Sequence, residues 1–184
     1  LSDADASAAI KKIVTALPLV LAEPGHTDAR LDLAEAATMA GIAFSKSMVG
    51  LVHAIGHSLG AVCHLHHGTC MSVLLPYVLE YNFDAIQDDL GALLPFLAGD
   101  EVARKTPPEE CARASIAAIR ALRDEIFDAT QLPRSLSEAG KVEKSQLGKI
   151  ADLSVDDGAL MFNPVEADRS DILNILEKAW SLPN

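Results

Sequence analysis

Apolar positions recur every three or four residues along almost the whole chain. Ala6, Ile10, Ile13, Val14, Leu17 and Leu21 mark a first amphipathic helix, the period expected when one helix face is buried. Ser2-Asp3 offers its N-cap and Pro24-Gly25 stops it. Thr27 caps a second helix that runs to about Ser45, with Leu31, Leu33, Ala34, Ala37 and Ile42 as its inward side. From Val49 to about Cys63 a third stretch is apolar nearly all round, which implies burial in the middle of the fold. Gly50, Gly56 and Gly60 interrupt it. Glycine in a helix interior costs about 1 kcal/mol relative to alanine, so these three argue for close approach by another backbone or a ligand. After a turn at His66-His67-Gly68, a fourth helix carries Met71, Leu74, Leu75, Val78 and Leu79 towards Tyr81-Asn82, with a kink expected at Pro76.

A fifth segment spans roughly Phe83 to Leu97. Thr106-Pro107-Pro108-Glu109 then reads as a strong helix start, with a cap, an early proline and acidic residues in the first turn. The helix it opens continues to about Ala129 with Cys111, Ile116, Ile119, Leu122 and Ile126 as its inner stripe. Ser135-Leu136-Ser137-Glu138 reads as loop. Shorter helices near Glu143 to Leu153 and Arg169 to Trp180, separated by the loop around Asn163-Pro164, finish the chain. No stretch alternates in polarity and no segment repeats, so the predicted fold class is all-α, an arrangement of packed helices like a bundle.

Composition agrees with this pattern and narrows the function. Hydrophobic residues make up 49% of the chain but aromatics only 4%, so the core must be built mainly from Ala, Leu, Ile and Val. A length of 184 residues suits one core or at most two small ones, and a single domain over residues 1–184 is expected. The net charge of −11 repels phosphate backbones and anionic membranes, so neither nucleic acid nor membrane is an expected partner. Cys63, Cys70 and Cys111 form no C-x-x-C pair, which fits a reduced, cytoplasmic protein. Because the sequence opens at Leu1 in what already reads as a helix start, an upstream part is expected.

The candidate chemistry lies in one short region. Five of the six histidines, His53, His57, His64, His66 and His67, fall within fifteen residues. His53 and His57 are four apart, so on one helix they project from the same face. His67 follows across a turn and can fold back towards them. Imidazole is the commonest ligand for Fe, Zn, Cu and Ni, and a cluster favours a metal where a lone histidine favours a structural role. Two or three ligands do not name the ion. Nor is this an H-E-x-x-H helix, since Ala54 follows His53 and Ser58 follows His57.

The run Gly50-Leu51-Val52-His53-Ala54-Ile55-Gly56-His57-Ser58-Leu59-Gly60, then His67-Gly68, then Leu74-Leu75-Pro76-Tyr77-Val78-Leu79-Glu80-Tyr81-Asn82 resembles the long signature of iron-containing alcohol dehydrogenases. The helix ending Ala40-Gly41-Ile42-Ala43-Phe44-Ser45, and Asn163-Pro164 with the last helix, extend the likeness over essentially the whole chain. That resemblance implies the helical C-terminal domain of the fold shared with dehydroquinate synthase. It implies that His53 and His67 are metal ligands for Fe(2+), with Zn(2+) as the alternative. His57 would face substrate and nicotinamide and relay a proton. Two departures stand out. His66 replaces the proline usual before the H-G pair, and the family's other two ligands, an Asp and a His one helical turn apart, should lie upstream of Leu1.

The implied parent activity is NAD(P)-dependent hydride transfer between an alcohol and its aldehyde or ketone. NAD or NADP would sit on an N-terminal nucleotide-binding domain that this chain lacks, and no G-x-G-x-x-G or P-loop occurs here. The chain alone is therefore expected to be inactive, to bind metal weakly and to self-associate as a homo-oligomer through the face left without its partner domain. Two rival readings stay open. One is a helical binding or assembly module that keeps the family fold without catalysis. The other is a related glycerol dehydrogenase or dehydroquinate synthase-like enzyme. The G-L-V-H-A-x-G-H-x-L-G run favours the alcohol dehydrogenase branch. His64 and His66 are expected to be structural or solvent-facing, and Cys63 and Cys70 are not counted as ligands.

Overall fold

A computed structural model describes residues 2–182; Leu1, with which the sequence opens, and the last two residues lie outside them. The described residues form nine α-helices and no strand: α1 (Ser2–Ala22), α2 (Thr27–Ser47), α3 (Leu51–Cys63), α4 (His67–Tyr81), α5 (Phe83–Ala98), α6 (Asp100–Lys105), α7 (Cys111–Thr130), α8 (Leu147–Ser154) and α9 (Arg169–Lys178). The predicted all-α class is what is found. Short 3₁₀ turns occupy Pro108–Glu110, Lys144–Gln146 and Gly158–Phe162. Among the described residues no single helix is long and apolar enough to cross a membrane. The chain divides into two compact units, residues 2–48 with Ile86–Gln131, and Val49–Ala85 with residues 132–182.

In the first unit α1 and α2, joined by a short turn, pack along their lengths, and α7 packs on α1. The fully buried positions of the pair are alanines at intervals of seven: Ala9 and Ala16 on α1, Ala29, Ala36 and Ala43 on α2. Two helical turns separate successive members, so the small side chains form one seam and let the two axes approach closely. This corrects the inward side read from the sequence. Leu31 is 59% exposed and Ile42 44% exposed, and Ala34 and Ala37 are also exposed. Leucines and alanines both recur at helical spacing on α2, so periodicity alone could not choose between a leucine face and an alanine face. Close packing chose the smaller residues.

Other helix ends also differ from the sequence reading. The N-cap of α2 is His26, whose Nδ1 accepts from the Ala29 N–H at 3.2 Å, and Thr27 is already helical. The short helix α6 was not anticipated; Gly99, at φ 88°, makes the break before it. Thr106 does not cap the next helix, because its hydroxyl donates back to Val102 O at 2.9 Å. On α7 the buried residues are Ala112, Ser115, Ile116 and Arg123, while Cys111, Ile119, Leu122 and Ile126 are half-buried. Ser115 Oγ donates to Leu90 O at 2.7 Å, so a polar side chain ties α7 to α5 where a wholly apolar stripe had been expected.

The second unit has the larger apolar core. Leu51, Ile55 and Leu59 of α3 meet Leu74 of α4, Leu147 and Ile150 of α8, and Ile172 and Leu176 of α9, all essentially inaccessible to water. The segment read as loop at Ser135–Glu138 is irregular but not superficial. Leu136 is fully buried, and its N–H donates to Ala179 O at 2.9 Å while Ser137 N–H donates to Trp180 O at 3.0 Å. Helix α4 continues through Pro76 without interruption.

The alanine seam is open to test. Ala36→Leu should lower stability by about 1–3 kcal/mol, the usual cost of forcing bulk into a packed site, whereas Leu31→Ser should change it by less than about 0.5 kcal/mol. Chemical denaturation of both variants measures this, and the opposite ranking would restore the leucine face.

Candidate metal centre

The site is built on the two helices that meet most closely in the second unit. Helix α3 begins at Gly50, which has no capping side chain. The cap comes instead from far along the chain: the Leu51 N–H donates to Asn163 Oδ1 at 3.3 Å, across 112 residues. A Cβ on Gly50 would lie 3.2 Å from that same oxygen, so glycine leaves room for the amide that caps the helix. Asn163 and Asn82 exchange amide hydrogen bonds, Asn82 Nδ2 to Asn163 Oδ1 at 2.9 Å and Asn163 Nδ2 to Asn82 Oδ1 at 2.8 Å. The start of α3 is thereby pinned beside the end of α4.

Further along, the helices touch at Gly56. A Cβ there would come within 1.8 Å of Met71 Cε, far inside van der Waals contact, so Met71 occupies the space a side chain would need. Gly60 is different, because its Cβ would meet Leu65 O at an ordinary 3.5 Å. Two of the three glycines therefore mark close approach. The turn between the helices is His64-Leu65-His66 rather than His66-His67-Gly68. His64 takes the left-handed conformation at φ 55°, and its N–H donates to Gly60 O at 2.9 Å. His66 caps α4 by accepting from the Gly68 N–H at 3.2 Å, so the residue that replaces the usual proline has a structural task. His67 is the first residue of α4.

This geometry gathers His53, His57 and His67. Their ring centroids are 5.4 Å apart for His53 and His67, 5.8 Å for His53 and His57, and 5.9 Å for His57 and His67. Burial lowers the His53 pKa below its usual 6.5, and the charges of His67 and His57 lower it further against an opposing pull from Asp157. Neutral imidazole is the form that binds a metal. His57 Nδ1 lies 2.9 Å from Asp157 Oδ2. His64 and His66 are accounted for by the turn.

A family model for the C-terminal domain of Fe-containing alcohol dehydrogenases matches residues 1–180. The chain belongs to the iron-containing alcohol dehydrogenase family. Alcohol dehydrogenase 4 of Saccharomyces cerevisiae is 32% identical over 183 residues, 98% of this chain and 44% of the yeast protein. The NAD-dependent methanol dehydrogenase of Bacillus methanolicus is 32% identical over 178 residues, 97% of this chain and 45% of that protein. A crystal structure of 1,3-propanediol oxidoreductase superposes with a TM-score of 0.89 at 30% identity, over 97% of this chain and 45% of that one. The chain thus spans a little under half the length of these members of the family.

The histidine cluster supplies only part of a metal ion's usual donor set. Two imidazoles bound to one tetrahedral ion at about 2.0–2.1 Å have ring centroids roughly 5 Å apart. The His53–His67 pair, at 5.4 Å, comes nearest to that. Among the described residues no group of three His, Cys, Asp or Glu side chains is placed to hold an ion. The thiols do not extend the set. Burial pushes Cys70 up to about 11, and it raises Cys63, with Glu143 adding to the effect. Protonated thiols are poor ligands.

Asp157 is the site residue that sequence reading missed. It stands 100 residues beyond His57, so no local spacing connects them, and the nearest available signal was an Asp before Gly158 at a helical start.

Two results are expected. Asn163→Ala removes partners from the buried Asn82 amide and from the Leu51 N–H, and should cost on the order of 1–3 kcal/mol, read by thermal or chemical denaturation. His53 should titrate below 6.5 in an imidazole NMR titration of the folded chain. Its folded-state pKa lies below the unfolded value, so its contribution to stability is complete above about pH 6.5 and declines as pH falls towards the folded pKa. A midpoint at or above 6.5 would contradict the burial argument.

Proposed function

We propose that this chain is the metal-binding helical domain of an enzyme that interconverts an alcohol and its aldehyde or ketone by hydride transfer with NAD or NADP. The observation that carries the reading is the convergence of His53 and His57 from α3 with His67 from the start of α4, in a chain of this family. His53 and His67 would supply two imidazoles to Fe(2+), with Zn(2+) the alternative. A divalent ion, when bound, supplies Lewis acidity that makes an alcohol easier to deprotonate.

The roles of the chain's own residues follow from position. His53 and His67 form the pair whose separation suits one ion. His57, exposed over 47% of its side chain and bonded to Asp157, is the group placed to move the alcohol proton. Nicotinamide binding falls to an N-terminal nucleotide-binding domain, which the greater length of the matched relatives accommodates. The cofactor reading is supported by the Bacillus relative, described as NAD-dependent. Relatives named for methanol and for 1,3-propanediol favour a small alcohol as substrate. Within the whole protein the 184 residues would serve as one metal-binding domain, working in the cytoplasm with Cys63, Cys70 and Cys111 as free thiols.

The test has two arms. Calorimetric titration of the chain with Fe(II) and Zn(II) should show weak binding that is lost in His53→Ala and in His67→Ala, because each removes one of two donors. The protein encoded by the complete reading frame should oxidise primary alcohols with NAD or NADP, whereas the chain alone should not. Tight stoichiometric binding that survives His53→Ala would show the ligands to be wrong. A complete protein inert with both cofactors would overturn the activity.

A further inference from the structure

Asp157 is held at both of its oxygens. Oδ2 faces His57 Nδ1 at 2.9 Å, and Oδ1 accepts the Ala159 N–H at 2.8 Å as the N-cap of the turn Gly158–Phe162. Its side chain is only 21% exposed. A carboxylate committed in this way cannot swing towards a cation without breaking a cap, and it offers no proton of its own. It only accepts. The hydrogen in the His57–Asp157 contact therefore sits on Nδ1, and in the neutral ring this leaves the lone pair on Nε2.

We propose that Asp157 is a positioning residue for the dehydrogenase reaction, holding His57 as the Nδ1–H tautomer so that Nε2 is the atom that takes the alcohol proton. The inference rests on the reading of His57 given under Proposed function. In the oxidation direction the O–H proton passes to Nε2. The C–H bond of the carbinol carbon breaks with its electron pair, and the hydride goes to the oxidised nicotinamide dinucleotide while the C=O bond forms. The alcohol is oxidised and the nicotinamide reduced. His57 then gives up one proton to solvent and returns to the neutral tautomer that Asp157 selects. An acceptor held in one orientation contributes through proton transfer, commonly 10²–10⁴-fold in rate.

Asp157→Asn separates positioning from capping. Asparagine is also a good N-cap, so its oxygen can keep the Ala159 bond while its NH₂ donates to His57 Nδ1 and forces the hydrogen onto Nε2. Long-range ¹H–¹⁵N NMR of the imidazoles in the chain should show His57 moving from the Nδ1–H to the Nε2–H tautomer, with thermal stability nearly unchanged. In the protein from the complete reading frame, kcat should fall on the order of a hundredfold or more with KM little altered, the pattern of a wrong tautomer. Asp157→Glu should recover part of kcat. An unchanged tautomer in Asp157→Asn would reduce Asp157 to a cap and overturn the proposal. A flipped tautomer with unchanged kcat would overturn it as well, by removing His57 Nε2 from the reaction. Neither result touches the activity of the unsubstituted protein, whose absence is the separate outcome that overturns the parent reading.

Discussion

The Asn163 side chain fixes the geometry on which the site depends. One amide accepts the Leu51 N–H and an Asn82 N–H, and donates to Asn82 Oδ1 and to Val165 O at 2.7 Å. It stands in for the cap that Gly50 cannot provide and ties it to the last turn of α4. Asn82 is 5% exposed, and in such surroundings a half-satisfied amide is costly. The pairing therefore holds in one arrangement. Sliding α3 along its axis would break the cap and turn His53 and His57 away from His67.

Close approach does the rest. Without a Cβ, Gly56 admits Met71 against the backbone of α3. A residue larger than glycine would force the end of the Met71 side chain out of the space it fills between the helices. The conformational cost of glycine within a buried helix, about 1 kcal/mol, is offset by the contacts of a core in which Leu51, Ile55, Leu59 and Leu74 lose essentially all their exposure. The turn is short for the same reason. His64 adopts the left-handed conformation and His66 caps the next helix, so two histidines of the cluster are spent on bringing a third into place.

Much of this was legible in the sequence, and the failures have physical causes. Helix existence follows from apolar period, and the i, i+4 relation of His53 and His57 is a property of any helix. The resemblance carried by the Gly50–Gly60 run and the His67-Gly68 pair implies that the three histidines share one site. What could not be read was which of several apolar faces packs. On α2 the leucines and alanines both repeat with helical period, and only the packed pair distinguishes the seam of Ala29, Ala36 and Ala43. Caps differ from the sequence pattern where a polar residue has a better partner: Thr106 bonds back to Val102 O, and His26 rather than Thr27 caps α2. Contacts across long sequence separations, Leu51 with Asn163 and His57 with Asp157, leave no periodic trace.

The three histidines are nearly equidistant, so separation alone does not divide their roles; their surroundings do. His53 and His67 make the shortest pair, and burial favours the neutral, ligating form of His53. His57 is the ring bonded to a carboxylate. A carboxylate behind an imidazole can serve a metal ligand as readily as a proton carrier, so the bond to Asp157 does not by itself decide. The 5.8 and 5.9 Å separations of His57 from its neighbours exceed those of the other pair. Under the proposed division it would stand beside an ion shared by His53 and His67 rather than on it. A group beside the ion and near an alcohol bound there is where a proton acceptor is useful, because it can take the proton without competing for the metal. Under this division two imidazoles are also too few to retain an ion firmly.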